Sequence, residues 1–102
     1  MTRDELKEKI IDMGIEDETI ILEPQEDYNC GLIGVTEDKC HLIYSYSKLT
    51  EGMAQKEFEN SAGEMTLDEC LQEACEWVDY NTIRSLPYMD EDHRPIMIYE
   101  FD

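Results

Sequence analysis

Carboxylates are the side chains of this protein with the most capacity for chemistry, and they are concentrated. Asp68, Glu69, Glu73, Glu76 and Asp79 lie along TLDECLQEACEWVD, and Asp90, Glu91 and Asp92 follow in MDEDHR. Paired carboxylates can serve as general acid and base, but that work needs one of them at a raised pKa, and no spacing here singles out such a pair. Zinc would need several Cys, His or carboxylate ligands converging. Cys30, Cys40 and His41 are the tightest candidates, and alternation along a strand sends Cys40 and His41 to opposite faces. His93 reads as an exposed loop histidine whose acidic neighbours favour its charged form. The sequence contains no nucleophile elbow and no phosphate-binding glycine loop. These features predict no enzyme, no metal and no cofactor. The carboxylates read instead as a displayed charge pattern. At helical rise Glu69, Glu73 and Glu76 span ~10 Å, a charge about every 5 Å, comparable to the phosphates of one DNA strand.

The element that must carry this pattern is the clearest helix in the chain. Thr66 and Glu69 have capping-box spacing, in which each side chain satisfies a backbone N–H of the first turn. Leu67, Cys70, Leu71, Ala74, Cys75 and Val78 then form an apolar stripe at the helical period, with Trp77 at its edge and the acids on the opposite side. Like charges four residues apart cost about 0.2–0.5 kcal/mol each, so the acidic face opposes the helix that bears it. Beyond Asp79, YNTIRSLPY continues as a second helical segment, with a bend near Asn81 and Asn81 or Thr82 as cap. Arg84 is the odd cation there, read as a partner for a carboxylate or for exposed carbonyls at a helix end. Tyr80 and Tyr88 read as core edge, although exposed tyrosines are common interface anchors.

The preceding chain supplies the scaffold. Thr2 and Glu5 form another capping box, and Gly14 ends a helix over residues 3–13. Thr19 to Glu23 reads as a strand stopped by Pro24. After the polar loop QEDYN, Cys30–Thr36 and Cys40–Tyr46 form a hairpin across Glu37 and Asp38, pairing Val35 with Cys40, Ile33 with Leu42 and Gly31 with Tyr44, so that Cys30 meets Ser45. Gly31 and Gly34 mark a bulge or the close approach of another backbone, with packing against Trp77 the simplest cause. Ser47–Asn60 is a poorer helix with Gly52 inside it, and Ser61, Ala62 and Gly63 link it to the main helix. Pro95–Phe101 is a closing strand. The order αβββααβ predicts an α+β fold, a small antiparallel sheet of about four strands with helices packed on one face.

Composition sets limits. At 102 residues one domain is expected, spanning residues 1–102. Eight Lys and Arg against 26 Asp and Glu leave a net charge of −18, which repels nucleic acid and anionic membranes and points to a basic protein partner. With 41% hydrophobic residues recurring at strand and helix periods, the chain folds rather than remaining a disordered acidic tail. The absence of a long apolar run or a signal-peptide core predicts a cytoplasmic protein, and its four cysteines, each inside an apolar pattern, read as free thiols.

The hairpin CGLIGVTEDKCHLIYSY, the helix GEMTLDECLQEACEWVDY and the string YNTIRSLPY together resemble a group of short uncharacterised acidic proteins of Firmicutes and of their phages and other mobile elements. The resemblance extends over most of the chain. Its hallmark is an N-T-I-R-x-L-P-Y string, matched by Asn81, Thr82, Ile83, Arg84, Leu86, Pro87 and Tyr88. No catalytic residues come with it. In size and acidity the chain is also similar, by type and not by motif, to anti-CRISPR inhibitors. Charge and resemblance together predict a non-enzymatic inhibitor that offers Asp68, Glu69, Glu73, Glu76, Asp79, Tyr88, Asp90, Glu91 and Asp92 to a basic nucleic-acid-binding protein, with an RNA-guided nuclease as the first target. The alternatives are an antitoxin or immunity-type partner of one cognate basic protein, or an accessory role.

Overall fold

The computed structural model describes residues 3–100. The expected cap at Thr2 and the last residue of the closing strand, Phe101, fall outside this range. The fold is α+β, with four helices and a three-stranded mixed sheet among the described residues.

Helix α1 (Arg3–Met13) buries Leu6 and ends as expected at Gly14, whose φ of 66° is open to glycine at little cost. The N–H groups of Gly14 and Ile15 return to the carbonyls of Ile11 and Ile10, a Schellman closure that also packs Ile10 near Ile15.

The chain from Thr19 to Glu23 is not a strand. Its backbone finds partners elsewhere: Ile20 N–H donates to His93 C=O at 3.1 Å, and Leu22 N–H to the Tyr44 hydroxyl at 3.2 Å. Buried N–H groups must be satisfied, but a loop carbonyl and a phenol serve as well as a ladder. The predicted polar loop is likewise structured. Residues Gln25–Tyr28 form the short helix α2, and Asn29–Gly31 a 3₁₀ turn, so Cys30 precedes the sheet and does not meet Ser45. Gly31 and Gly52 explain why this turn lies so close to the next helix. A Cβ on Gly31 would stand 2.6 Å from Leu49 Cβ, and one on Gly52 2.4 Å from Cys30 Sγ. The close approach expected at Gly31 is therefore real, but its neighbour is Leu49 and not Trp77.

Strands β1 (Leu32–Val35) and β2 (Leu42–Ser45) form the predicted hairpin in a different register. Val35 pairs with Leu42, Gly34 with Ile43 and Leu32 with Tyr44, and Ile33 is bulged out. The turn is longer than Glu37–Asp38. Lys39 N–H closes on Thr36 C=O at 2.9 Å, Lys39 takes φ 65°, and Asp38 accepts from Thr36 Oγ1 and from Cys40 N–H. An aspartate able to bond its own turn outweighs the two-residue loop that the strand pattern alone suggests.

Ser45 ends β2 and caps helix α3 (Tyr46–Asn60), its Oγ accepting from Lys48 N–H at 3.3 Å. Helix α4 (Leu67–Trp77) starts with the predicted capping box, Thr66 and Glu69 exchanging bonds of 3.2 Å. Ala54 of α3 packs against Cys70 and Ala74 of α4, small side chains that let the two helices approach closely. The apolar stripe holds at Cys70, Ala74 and Val78, while Leu67 is exposed. A wide π-helical turn, Val78–Ile83, follows. Neither Asn81 nor Thr82 caps a new helix: Asn81 donates to Trp77 C=O at 3.0 Å, and Thr82 points into the core.

Strand β3 (Ile96–Ile98) pairs with β2 in parallel, Ile43 opposite Ile96. The antiparallel four-strand sheet is corrected to a mixed three-strand sheet in the order β1-β2-β3. The cause is connection length. Only the hairpin joins neighbours by a short turn, whereas β2 and β3 are linked through α3 and α4, the crossover that a parallel pair requires. Around central β2, Leu22, Tyr28, Leu42, Tyr44, Leu49 and Val78 form the main core. All four cysteines are free thiols.

Candidate interaction surface

All nine predicted contact residues are exposed. Five of them lie on α4 and the turn after it, where the buried side of the helix is set by Cys70, Ala74 and Val78 and the acids necessarily face water. From Asp68 to Glu76 the row runs ~12 Å at helical rise. None of these five carboxylates forms an ion pair among the described residues. Three of them hydrogen-bond neutral groups: Glu69 with Thr66, Glu76 from Gln72 at 3.4 Å, and Asp79 from the Tyr46 hydroxyl at 2.9 Å. Burial and the Asp79 carboxylate push the Tyr46 phenol well above its usual range, so it remains a proton donor.

A sixth carboxylate joins this face. The Glu73 carboxyl of α4, through a shared hydrogen bond ahead of desolvation and direct repulsion, raises the pKa of Glu57 of α3 above the ordinary carboxylate value. Glu57 follows Ala54 by three residues, which places it on the side of α3 facing α4, the one sequence signal that could have found it. Beside it, Asp27, Met53, Lys56, Asn60 and the half-exposed Trp77 line an open depression, with Lys56 held to Asp27 at 2.6 Å.

The remaining predicted residues are elsewhere. Asp79 bonds Tyr46, at the end of β2, whereas the 89–94 loop is fixed at the start of β2, where Arg94 C=O meets His41 Nδ1 at 2.8 Å. The two groups are thus anchored at opposite ends of β2, a strand ~13 Å long at strand rise. Closeness in sequence does not make Asp90, Glu91 and Asp92 part of the α4 face. Two of these three are also engaged locally. Asp90 Oδ2 lies 2.8 Å from His93 Nδ1, and Glu91 Oε1 3.6 Å from Arg94 Nη2. Tyr88, 91% exposed on the 3₁₀ turn Leu86–Tyr88, is surface and not core edge.

Two further expectations are corrected. His93 is less solvated than expected, its side chain 18% exposed between Asp90 and Glu18, whereas its acidic neighbours do favour the charged form, the Asp90 hydrogen bond chiefly raising its pKa. Among the described residues Arg84 meets neither a carboxylate nor a helix-end carbonyl. Its guanidinium lies 5.0 Å above the exposed Tyr80 ring, a cation–π contact. The cationic partner of a helix-end carbonyl is Arg94, whose Nη1 donates to Leu86 C=O at 3.2 Å. Cys30, Cys40 and His41 also diverge: Cys30 Sγ donates to the Asp27 and Leu49 carbonyls, Cys40 Sγ to Asp38 C=O, and His41 Nδ1 faces Arg94 C=O.

No protein-family model, curated protein or solved structure matches this chain.

Proposed function

We propose that the protein is a non-enzymatic inhibitor that binds a basic nucleic-acid-binding protein through the acidic face of α4, acting in place of phosphates. The observation that carries this reading is the row from Asp68 to Asp79, five exposed carboxylates with no ion pair among the described residues, extended by Glu57. Such a row carries unfavourable self-repulsion in the free protein, which cationic side chains of a partner relieve. The −18 charge and the resemblance of the N-T-I-R-x-L-P-Y string to proteins of mobile elements support the same reading. An RNA-guided nuclease is the first target, because its channel holds nucleic acid through Lys and Arg contacts to phosphates.

The test is DNA cleavage by a purified RNA-guided nuclease titrated with this protein and with the Glu69→Gln, Glu73→Gln, Glu76→Gln triple variant. Inhibition should weaken steeply with salt as the Debye length shortens from ~10 Å at 0.1 M to ~3 Å at 1 M, and the triple variant should inhibit less. Retained cleavage at saturating protein would eliminate this target. Equal potency of the triple variant would eliminate the α4 face.

An antitoxin-like or immunity-type complex with one cognate basic protein is a second reading, favoured by the exposed Tyr80–Arg84 pair and by Tyr88. Tyr and Arg anchor shape-specific interfaces, and a complex of that kind should tolerate salt and fail on Tyr88→Ala.

A further inference from the structure

We propose that the free edge of β1 is a self-association surface, where the chain pairs with a second copy of itself about a two-fold axis. This surface is independent of the α4 face. β1 is the end strand of the sheet; among the described residues Leu32 N–H turns back to Asn29 C=O, and the other backbone hydrogen bonds of β1 run to the β2 side of the hairpin. Beyond Leu32, the N–H and C=O groups that the strand turns away from β2 are therefore open to another strand. The strand, LIGV, carries none of the charges or prolines that usually blunt an edge, and its bulged residue, Ile33, is 41% exposed.

Gly34 gives the second observation. Gly31 and Gly52 are required by contacts inside the chain, where a Cβ would collide at 2.6 and 2.4 Å. Gly34 has no such reason: it lies within β1, adopts no positive φ, and a Cβ there would meet nothing within 4 Å. A strand glycine with open space beside it suits the close approach of another backbone. An antiparallel pairing centred between Ile33 and Gly34 sets Ile33 of each copy beside Gly34 of the other, and the missing Cβ leaves room for that side chain.

Charge selects the occupant. The groove between α1 and β1 is lined by Leu6, Met13, Ile15, Leu32 and Val35, and Lys9 is its one charged lining residue. A two-fold interface sets like against like. On a chain with 26 acids, a groove lined by no carboxylate is where two copies can meet with the least repulsion, Lys9 being the one charge set against its own copy. A basic partner would find Lys9 here and no counter-charge.

The test is light scattering on the full chain over a concentration series at ~0.05 M and ~0.5 M salt, where screening differs most usefully. The mass should rise from 12.0 kDa toward twice that value, at lower concentration in high salt, because screening reduces the repulsion between two copies of charge −18. Ile33→Lys and Gly34→Lys should each raise the required concentration by about tenfold or more, a change of about 1.4 kcal/mol. Circular dichroism checks their folding, and Gly34→Lys, with its side chain in open space, stands in if Ile33→Lys unfolds. A wild-type mass of 12.0 kDa at every concentration and salt would overturn the proposal, as would dimers unaffected by the folded variants.

Discussion

Replacing Thr82 by Val tests the buried contact that fixes the π-helical turn against the core. Thr82 and Tyr28, 1% and 5% exposed, share a hydrogen bond of 2.6 Å between their hydroxyls, across 54 residues of sequence. Valine keeps the shape and removes the hydroxyl, stranding the Tyr28 phenol in a site closed by the rings of Tyr44 and Trp77. A stranded buried hydroxyl costs about 1–3 kcal/mol, more than the ~1 kcal/mol that a typical intact bond contributes. Tyr28→Phe should cost less, about 1 kcal/mol, because a threonine hydroxyl in a helical turn can return to its own backbone. The double variant removes both polar groups and should lose less than the sum of the single losses, by about 1 kcal/mol or more. Urea denaturation followed by Trp77 fluorescence reads all four proteins, since Trp77 lies 6.0 Å from the Tyr28 ring. Losses that add within about 0.3–0.5 kcal/mol would refute the reasoning, because independent sites behave that way.

Gly31→Ala should destabilise by about 1–3 kcal/mol through overpacking against Leu49, whereas Gly34→Ala, with open space, should be neutral or stabilising in dilute low-salt solution; thermal midpoints compare them. The raised pKa of His93 stabilises the fold fully below its unfolded value of about 6.5, and this contribution is lost as pH rises through the folded value. His93→Gln should therefore flatten the fall in thermal midpoint between pH 6 and pH 9; an unchanged slope would exclude the Asp90 and Glu18 contacts as its source. Glu57 also has a raised pKa, so its contact with Glu73 is favourable in acid and is lost as pH rises. Glu57→Gln should raise the melting temperature at pH 7 and leave it nearly unchanged at pH 4.

The sequence makes α4 legible because two independent signals coincide there, the Thr66–Glu69 box and the Cys70–Ala74–Val78 stripe, and both are local. The glycine stop of α1 at Gly14 is equally local. What local pattern cannot carry is the choice among distant partners. Ile20, Ile21 and Leu22 have the composition of a strand, yet the Ile20 and Leu22 amides are taken by His93 C=O and the Tyr44 hydroxyl, residues far along the chain. Tyr28 looks like a loop residue until Tyr44, Trp77 and Thr82 converge on it. For the candidate surface, the α4 acids are legible from periodicity, whereas Glu57 joins them only through the packing of α3 on α4, and the separation of Asp90 from Asp79 depends on a crossover whose direction no short window encodes. Arg84 illustrates the limit: its neighbours in sequence are Ile83 and Ser85, and its contact is Tyr80, one helical turn earlier.

The parallel pairing of β2 with β3 sets an order of events in folding. The β1–β2 hairpin and the α3–α4 pair are assembled from near neighbours and can form early, whereas β3 reaches β2 only after some fifty intervening residues are in place, a closure with a large entropic cost. During synthesis the inner edge of β2 therefore stays open until Ile96–Ile98 has emerged. For that interval the most deeply buried strand among the described residues has an unpaired side, and the net charge of −18, whatever it binds later, keeps nascent chains apart while the sheet is incomplete.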